Sequence, residues 1–431
     1  MVKPDLPDEV NPIQHQATPT TAKPVRRPSL SGTFASLRYR NYRLWFTGQM
    51  ISLVGTWMQS TAQAFLVYQL TGSPAYLGYV GFAAGVPTWL FSLYGGVVSD
   101  RMSKRNLMVI TQSAMMILAF LLAALTFTGR VQAWHIVVMA FLLGIANAFD
   151  APARQAFVLE LVDREDLTNA IALNATMFNL GTAVGPAVAG LTYSAFGPAW
   201  CFTINGISFI AVIVALLMMR LKPVGYVQRA TTALVEIRSG IRYVAANRRV
   251  RTIIINLGVV SLFGMGFVTL MPAWAVDVLG GDATTNGLLQ SARGVGALVG
   301  ALMLAAAGGS LPRGRLFTLG SLVFPALLFI YAFLRWLPLS LLCLAGVGWG
   351  FMVMVNSSNV LVQTQVPDEL RGRVMSIYTL AFFGLMPIGS FIAGRLAEQI
   401  GEPVTVVAGA LILLGVALWI LLRVPEVSAA S

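Results

Sequence analysis

Long apolar runs recur along nearly the whole chain, and short polar breaks separate them. Leu44 to Leu70, Thr71 to Ser99 and Leu167 to Met219 contain no Asp, Glu, Lys or Arg. A run of about 18 apolar residues can cross a ~30 Å hydrocarbon layer as a helix. The breaks carry turn residues: Thr71-Gly72-Ser73-Pro74, Phe196-Gly197-Pro198, Gly280-Gly281-Asp282, Leu311-Pro312-Arg313-Gly314 and Gly401-Glu402-Pro403. The pattern predicts an all-α membrane protein with twelve transmembrane helices. They fall near 44–70, 75–98, 106–128, 133–153, 168–194, 199–220, 252–278, 284–308, 315–334, 337–363, 373–397 and 403–422.

Composition agrees. The 431 residues are 57% hydrophobic and 11% charged, against roughly 25% charged in a soluble domain. Residues 1–34 are polar, with six prolines and no apolar segment of signal-peptide type. They read as a disordered tail. The two cysteines, Cys201 and Cys343, give neither a disulfide framework nor a metal spacing, and His15 and His135 are too few and too far apart for a metal site.

The net charge of +12 would fit a nucleic-acid partner, but its placement argues for a membrane instead. Assigned to the predicted loops, 25 of the 29 Lys and Arg residues fall at the two termini or in loops on the same side. Only Arg130, Arg335 and Arg395 lie on the other side, and Arg293 lies inside a predicted helix. Positive loops stay in the cytoplasm, so both termini are expected there, in a bacterial inner membrane. The longest loop carries Leu234, Ile237, Ile241 and Val244 at helical spacing, beside Arg238 and Arg242. It reads either as an amphipathic helix on the anionic leaflet or as a solvated linker helix.

An internal repeat is visible. Shifted by 204, Val162, Glu165, Gly185, Ala189 and Gly190 fall on Val366, Glu369, Gly389, Ala393 and Gly394. Shifted by 209, Gly55, Leu70, Gly78 and Gly85 fall on Gly264, Leu279, Gly287 and Gly294. Two pseudo-symmetric six-helix lobes are therefore expected, a transporter architecture with its site at the lobe interface near mid-membrane. The expected division is a tail at 1–38, lobes at 39–221 and 251–423, a basic linker at 222–250 and a tail at 424–431.

Two strings stand out. Gly96-Val97-Val98-Ser99-Asp100-Arg101-Met102-Ser103-Lys104-Arg105 joins predicted helices 2 and 3. Gly96 permits close helix approach, and Asp100 needs a cation or a helix N-terminus as partner. Gly181-Thr182-Ala183-Val184-Gly185-Pro186-Ala187-Val188-Ala189-Gly190 gives helix 5 a flat face of small residues, with Pro186 as a kink. Tight packing alone would explain the helix-5 string.

On these strings, the repeat and the topology, residues 39–423 resemble the major facilitator superfamily. The string after helix 2 resembles its 2–3 loop motif, with Ser103 where glycine is usual. The helix-5 string resembles its antiporter motif. Asp150-Ala-Pro-Ala-Arg154-Gln-Ala, followed by Leu167-Thr-Asn-Ala170, is similar to the drug- and siderophore-export branch that includes macrolide and enterobactin exporters. The resemblance implies gating by Gly96, Asp100, Arg101, Arg154, Gly185 and Pro186, with Asp100 contacting Arg154 and the segment from Arg373. The helix-4 arginine motif of many proton/drug antiporters is absent: the region reads Phe141-Leu-Leu-Gly-Ile-Ala-Asn147-Ala-Phe-Asp150.

Polar residues inside the apolar runs are the candidate substrate contacts, since lipid exposure is costly. Helix 1 offers Gln49, Thr56, Gln59 and Gln63 on one face, and helix 10 offers Asn356, Asn359 and Gln363. They either line a path or bond to neighbouring helices. Trp57 and Met58 would add adaptable apolar contact. Asp150 is either a proton carrier or a partner for Arg154 at i+4. Arg293 is either paired with Asp277, bound to the cargo, or snorkelling outward.

No Gly-x-x-x-x-Gly-Lys-Ser/Thr phosphate loop is present. No cofactor and no catalytic residue is expected. The expectation is a monomeric secondary active exporter of a small amphipathic compound, drug-like or siderophore-like. It would work by alternating access, with protons as the coupling partner, the bilayer as surroundings and no nucleic acid. An uptake transporter of the same fold and a non-transporter such as a lipid scramblase are the alternatives.

Overall fold

The computed structural model describes residues 34–221, 233–307 and 311–429; the side chains of Ser92, Leu93, Asp100 and residues 233–238 fall outside that description. The described residues contain twelve long helices and no strand. They are α1 Arg40–Thr71, α2 Pro74–Arg101, α3 Lys104–Phe127, α4 Ala133–Leu161, α5 Leu167–Phe196 and α6 Pro198–Met218 in the first half. The second half has α7 Arg248–Val278, α8 Ala283–Ala307, α9 Arg313–Tyr331, α10 Leu337–Gln365, α11 Asp368–Ile400 and α12 Glu402–Arg423. Ten of these are long and apolar enough to cross a membrane by length and composition alone. Of the other two, α1 is diluted by its glutamines, serines and threonines, while α2 contains Ser92, Leu93 and Asp100, whose side chains fall outside the description. Because twelve is even, the first and last helices leave the chain ends on one side. That side is called the terminal side, and the opposite one the far side.

The turn residues do what their chemistry requires. Gly72, Gly197 and Gly401 follow helix ends with φ of 60°, 89° and 83°, the left-handed region that favours glycine. Pro74, Pro198 and Pro403 sit in first helical turns, where no amide donor is missed. Several helices run further than the apolar pattern predicts. Helix α4 continues from 153 to Leu161 and α1 begins at Arg40. Charge ends an apolar run without ending a helix, so Arg154 lies within α4 rather than after it. Helices α7 and α11 also contain π turns, Val260–Gly264, Trp274–Val278 and Leu380–Gly384. Pro387, which lacks a donor, follows the last of these closely.

Helices α1 to α6 pack into one lobe and α7 to α12 into another, joined chiefly along α5/α8 and α2/α11. The repeat gives these two seams the same construction. A methyl on Gly287 would sit 3.0 Å from the Gly190 Cα, and one on Gly394 would sit 2.8 Å from the Gly78 Cα. Gly78 and Gly287, like Gly190 and Gly394, are repeat equivalents. Likewise Gly85 abuts Pro387 where Gly294 abuts Ala183. Gly185 meets Trp57 and Val54 of α1, as Gly389 meets Ser261 and Leu262 of α7.

Residues 1–33 and 222–232 lie outside the described residues, and with them most of the 1–38 tail and the first part of the linker. A helix Ala233–Ala246 does form in the linker. Gly240 packs on Arg373 and Ile377 of α11, Arg373 donates to the Ser239 hydroxyl at 2.8 Å, and the Tyr243 hydroxyl donates to the Gln365 carbonyl at 3.1 Å. Residues 424–429, expected as a tail, are folded: Pro425–Ser428 form a helical turn with Val424 and Val427 each 1% exposed in the second lobe's core.

Candidate functional site

Between described residues, the hydrogen bonds that join the two lobes all lie in the far half. Asp277 of α7 accepts from the Tyr68 hydroxyl of α1. Ser73 donates to Glu398 at 2.7 Å and the Ala75 amide to the same carboxylate at 3.2 Å. Arg395 donates to the Tyr79 hydroxyl at 3.0 Å, and Ser194 and Thr284 share a bond of 2.8 Å. Deeper in, Thr61 of α1 donates to Gln290 of α8 at 3.4 Å. Phe391 of α11 closes on Tyr79 and Phe82 of α2 with ring centroids 5.9 and 5.4 Å apart. Tyr68 and Asp277 are 209 positions apart, the repeat shift, so this contact joins equivalent sites of the two lobes. The far side is thus sealed, and the seal has a centre.

On α1, the amides of Gln59 and Gln63 are turned into their own lobe. Gln59 accepts from Asn205 of α6 at 2.7 Å, and Gln63 donates to the Ile136 carbonyl of α4 at 3.3 Å. Both are buried. Gln49 is buried with its Oε1 unpartnered. Thr56 is partly buried and bonds back to the Ser52 carbonyl at 2.8 Å. The amides of Gln59 and Gln63 therefore go to neighbouring helices. Met58 is core, 1% exposed, while Trp57 stays partly exposed and meets Phe178 edge-on. On α10, Asn356 and Asn359 are partly exposed, and Gln363 donates to Asn359 at 2.6 Å.

Asp150 is fully buried between α3 and α4. It accepts from Thr111 at 2.8 Å and Gln112 at 3.1 Å, and its other oxygen lies 3.6 Å from Arg154 Nε. Arg154 is thereby engaged within its own helix. The side chain of Asp100 lies outside the described residues. Arg101 is exposed at the end of α2. The neighbouring cations Lys104 and Arg105 are held inside the lobe, Lys104 by Glu160 of α4 and Arg105 by the Leu217 carbonyl of α6.

One glycine expectation is corrected. Among the described residues, a methyl on Gly96 would meet nothing within 4 Å, whereas one on Gly95 would collide with the α4 backbone at Ala148. The close approach of α2 to α4 belongs to Gly95. Gly185 and Pro186 do lie where helices touch, Gly185 on α1 and the Pro186 carbonyl on Gly287 of α8.

Arg293 is not paired with Asp277, whose carboxylate is taken by Tyr68. Its Nε is buried without a hydrogen-bond partner, and no carboxylate of a described residue lies within ion-pair distance. Asn286, Gln290 and Arg293 share one face of α8 at spacings of 4 and 3. The sequence pattern singles out only Arg293. Asn286 and Gln290 are uncharged and ordinary in a helix, and the repeat, which points at glycines, carries no signal for them.

These features describe a membrane transporter of two six-helix lobes whose cross-lobe hydrogen bonds, among the described residues, gather on the far side. The family model for transmembrane secretion effectors matches residues 31–431, and the chain belongs to that family, within the major facilitator superfamily. It is 29% identical to the multidrug efflux pump Tap of Mycolicibacterium fortuitum, over 88% of this chain and 94% of that one. It is 24% identical to the staphyloferrin A transporter of Staphylococcus aureus, over 83% and 90%. With macrolide efflux protein A of Streptococcus pyogenes the identity is again 24%, over 84% and 92%. Among solved structures, a POT family transporter aligns with a TM-score of 0.70 at 12% identity, over 90% of this chain and 97% of that one. A bacterial Spinster homologue in an inward-facing conformation aligns at 0.64 and 12%, over 93% and 97%. At these identities the structures speak for the fold alone.

Proposed function

We propose that this protein is a proton-driven secondary exporter of a small amphipathic organic compound, drug-like or siderophore-like. It works as a monomer by alternating access in a bacterial inner membrane, with both termini in the cytoplasm. The observation that carries the reading is the placement of the cross-lobe bonds. Cross-lobe hydrogen bonds between described residues gather on the far side, which is what one end of a rocking cycle requires. The efflux named for Tap and macrolide efflux protein A supports export, and the name of the staphyloferrin A transporter supports transport. The lopsided distribution of Lys and Arg supports the orientation.

Arg293, Asn356 and Asn359 of the second lobe and Gln49 and Thr56 of the first are the proposed cargo contacts. Gln59 and Gln63 hold the first lobe together in the conformation described. For coupling, the geometry supports Asp277 over Asp150. Asp150 is fully buried and already held by three groups, which suits a permanent ion pair with Arg154. Asp277 is exposed on the far side, yet sits in the seam on Tyr68. Glu398 and Glu402 stand at the same end, so a proton taken up there changes the charge of the seal.

Untargeted comparison of cells and medium, with and without the protein, tests the function. Export predicts a compound that builds up in cells lacking it, and flux of that compound in proteoliposomes should follow an imposed pH gradient. Faster depletion of a medium compound in cells that have the protein would mean uptake. Lipid redistribution without solute flux would mean a scramblase. For orientation, cysteine at Ser428 should resist an impermeant thiol reagent and cysteine at Asp282 should react. The native Cys201 and Cys343 are buried and give little background.

A further inference from the structure

The α8 face carrying Arg293 is crowded on both flanks. A methyl on Gly294 would meet the backbone of Thr182 and Ala183 in α5. On the other flank, Gly348 and Ala345 of α10 bring that helix against the backbones of Arg293 and Gly296. No side chain fits along either contact, so the Arg293 side chain leaves α8 along the remaining face, the one it shares with Asn286 and Gln290. That face looks across to the first lobe, where Gln290 accepts from Thr61. Arg293 lies three residues past Gln290, and Trp57 lies four residues before Thr61 on the antiparallel α1. At 1.5 Å per residue the two stand at about the same depth. Trp57 is only partly buried there.

The polarity of this face is one-sided. Thr61 donates to Gln290, and Gln290 donates to the Asn286 carbonyl oxygen at 3.2 Å. What remains without a partner is donors, the buried Nδ2 of Asn286 and Nε of Arg293. An arginine at mid-membrane is costly unless an acceptor or water meets it, and no described carboxylate does. A fixed structural arginine would have its partner in place. One that waits for a partner, level with an aromatic ring at the lobe seam, is a binding group.

Resting on the exporter reading, we infer that Arg293 binds a carboxylate or similar oxyanion of the cargo, whose apolar body lies toward Trp57. The planar guanidinium fork suits the paired oxygens of a carboxylate better than a lysine ammonium does. The cargo class is therefore an amphipathic organic acid.

Binding of rhodamine B, which has a free carboxylate, is compared with binding of its ethyl ester, which lacks the acid but keeps the ring system. Purified full-length protein is titrated by tryptophan quenching. Wild type should bind the acid about tenfold or more tighter than the ester. Arg293→Ala should erase that preference and Arg293→Lys keep only part of it, each read as the ratio of acid to ester affinity within the same variant. Size-exclusion profiles and thermal midpoints establish that the variants are folded. Should Arg293→Ala fail to fold, the inference is decided on Arg293→Lys, which must narrow the preference. Equal binding of acid and ester by wild type overturns the inference, as does an unchanged preference in a folded Arg293 variant. Because this is an equilibrium reading, it is independent of flux. Arg293-dependent binding without any transport would sink the exporter reading alone, and gradient-driven flux without acid preference would sink only this inference.

Discussion

Helices α1 and α8 both carry polar residues through the membrane, and Gln59 and Gln63 of α1 are used in the opposite way to Asn286 and Arg293 of α8. On α1, Gln59 and Gln63 find partners on α6 and α4, inside their own lobe. On α8, Asn286 and Arg293 keep unpartnered donors on a face turned across the seam. Polarity within a membrane helix therefore does not by itself mark a pathway. A satisfied amide fastens helices together. An unsatisfied one, kept at a cost, points to something that comes and goes.

The largest effect expected is at Gly287→Leu. A bulky side chain against the Gly190 backbone wedges α8 off α5, and overpacking of this kind costs about 1–3 kcal/mol. Flux should fall by about tenfold or more, with a cysteine at Thr284 becoming more reactive from the far side. Normal flux in a folded Gly287→Leu protein would mean that the seal does not have to close tightly.

The next effect separates the two faces. Gln59→Leu strands the buried Nδ2 of Asn205, which costs about 1–3 kcal/mol. Thermal stability should drop while flux per folded molecule stays near normal. If flux falls and stability does not, Gln59 belongs to the pathway and the contrast between α1 and α8 collapses.

Tyr68→Phe removes one bond from the seal, worth about 0.5–1.5 kcal/mol. Spin labels on the far ends of α1 and α7 should report a shift toward the far-side-open form of up to about tenfold. An unchanged distance distribution would strip the Tyr68–Asp277 contact of any latching role. Smallest of all is Gly96→Ala, expected to change stability by less than about 0.5 kcal/mol. Gly95→Ala should be clearly harmful beside it. Equal harm from both would show that α2 meets α4 along a different line.

The sequence alone determined how many helices there are, where they turn, and that the halves repeat. It also segregated the basic loops, from which the orientation is inferred. The physical reason is that these properties are local or periodic: a hydrocarbon layer demands a long apolar run, and a left-handed turn demands glycine. The 204 and 209 shifts even carried the seams, since Gly78, Gly287, Gly190 and Gly394 meet in equivalent pairs.

Only the tertiary structure decided which polar groups would be spoken for. Periodicity tells that Gln59 and Gln63 share a face with Thr56, but not which helix stands opposite. Asp277 was open to Arg293 by depth, yet Tyr68, 209 residues earlier in the chain, reached it first. Gly95 and Gly96 are neighbours in sequence and about 100° apart around the helix, so Gly95 carries the approach to α4 and Gly96 meets no described residue. Direction around a helix axis is written in the sequence. The occupant of that direction is fixed only when the helices pack.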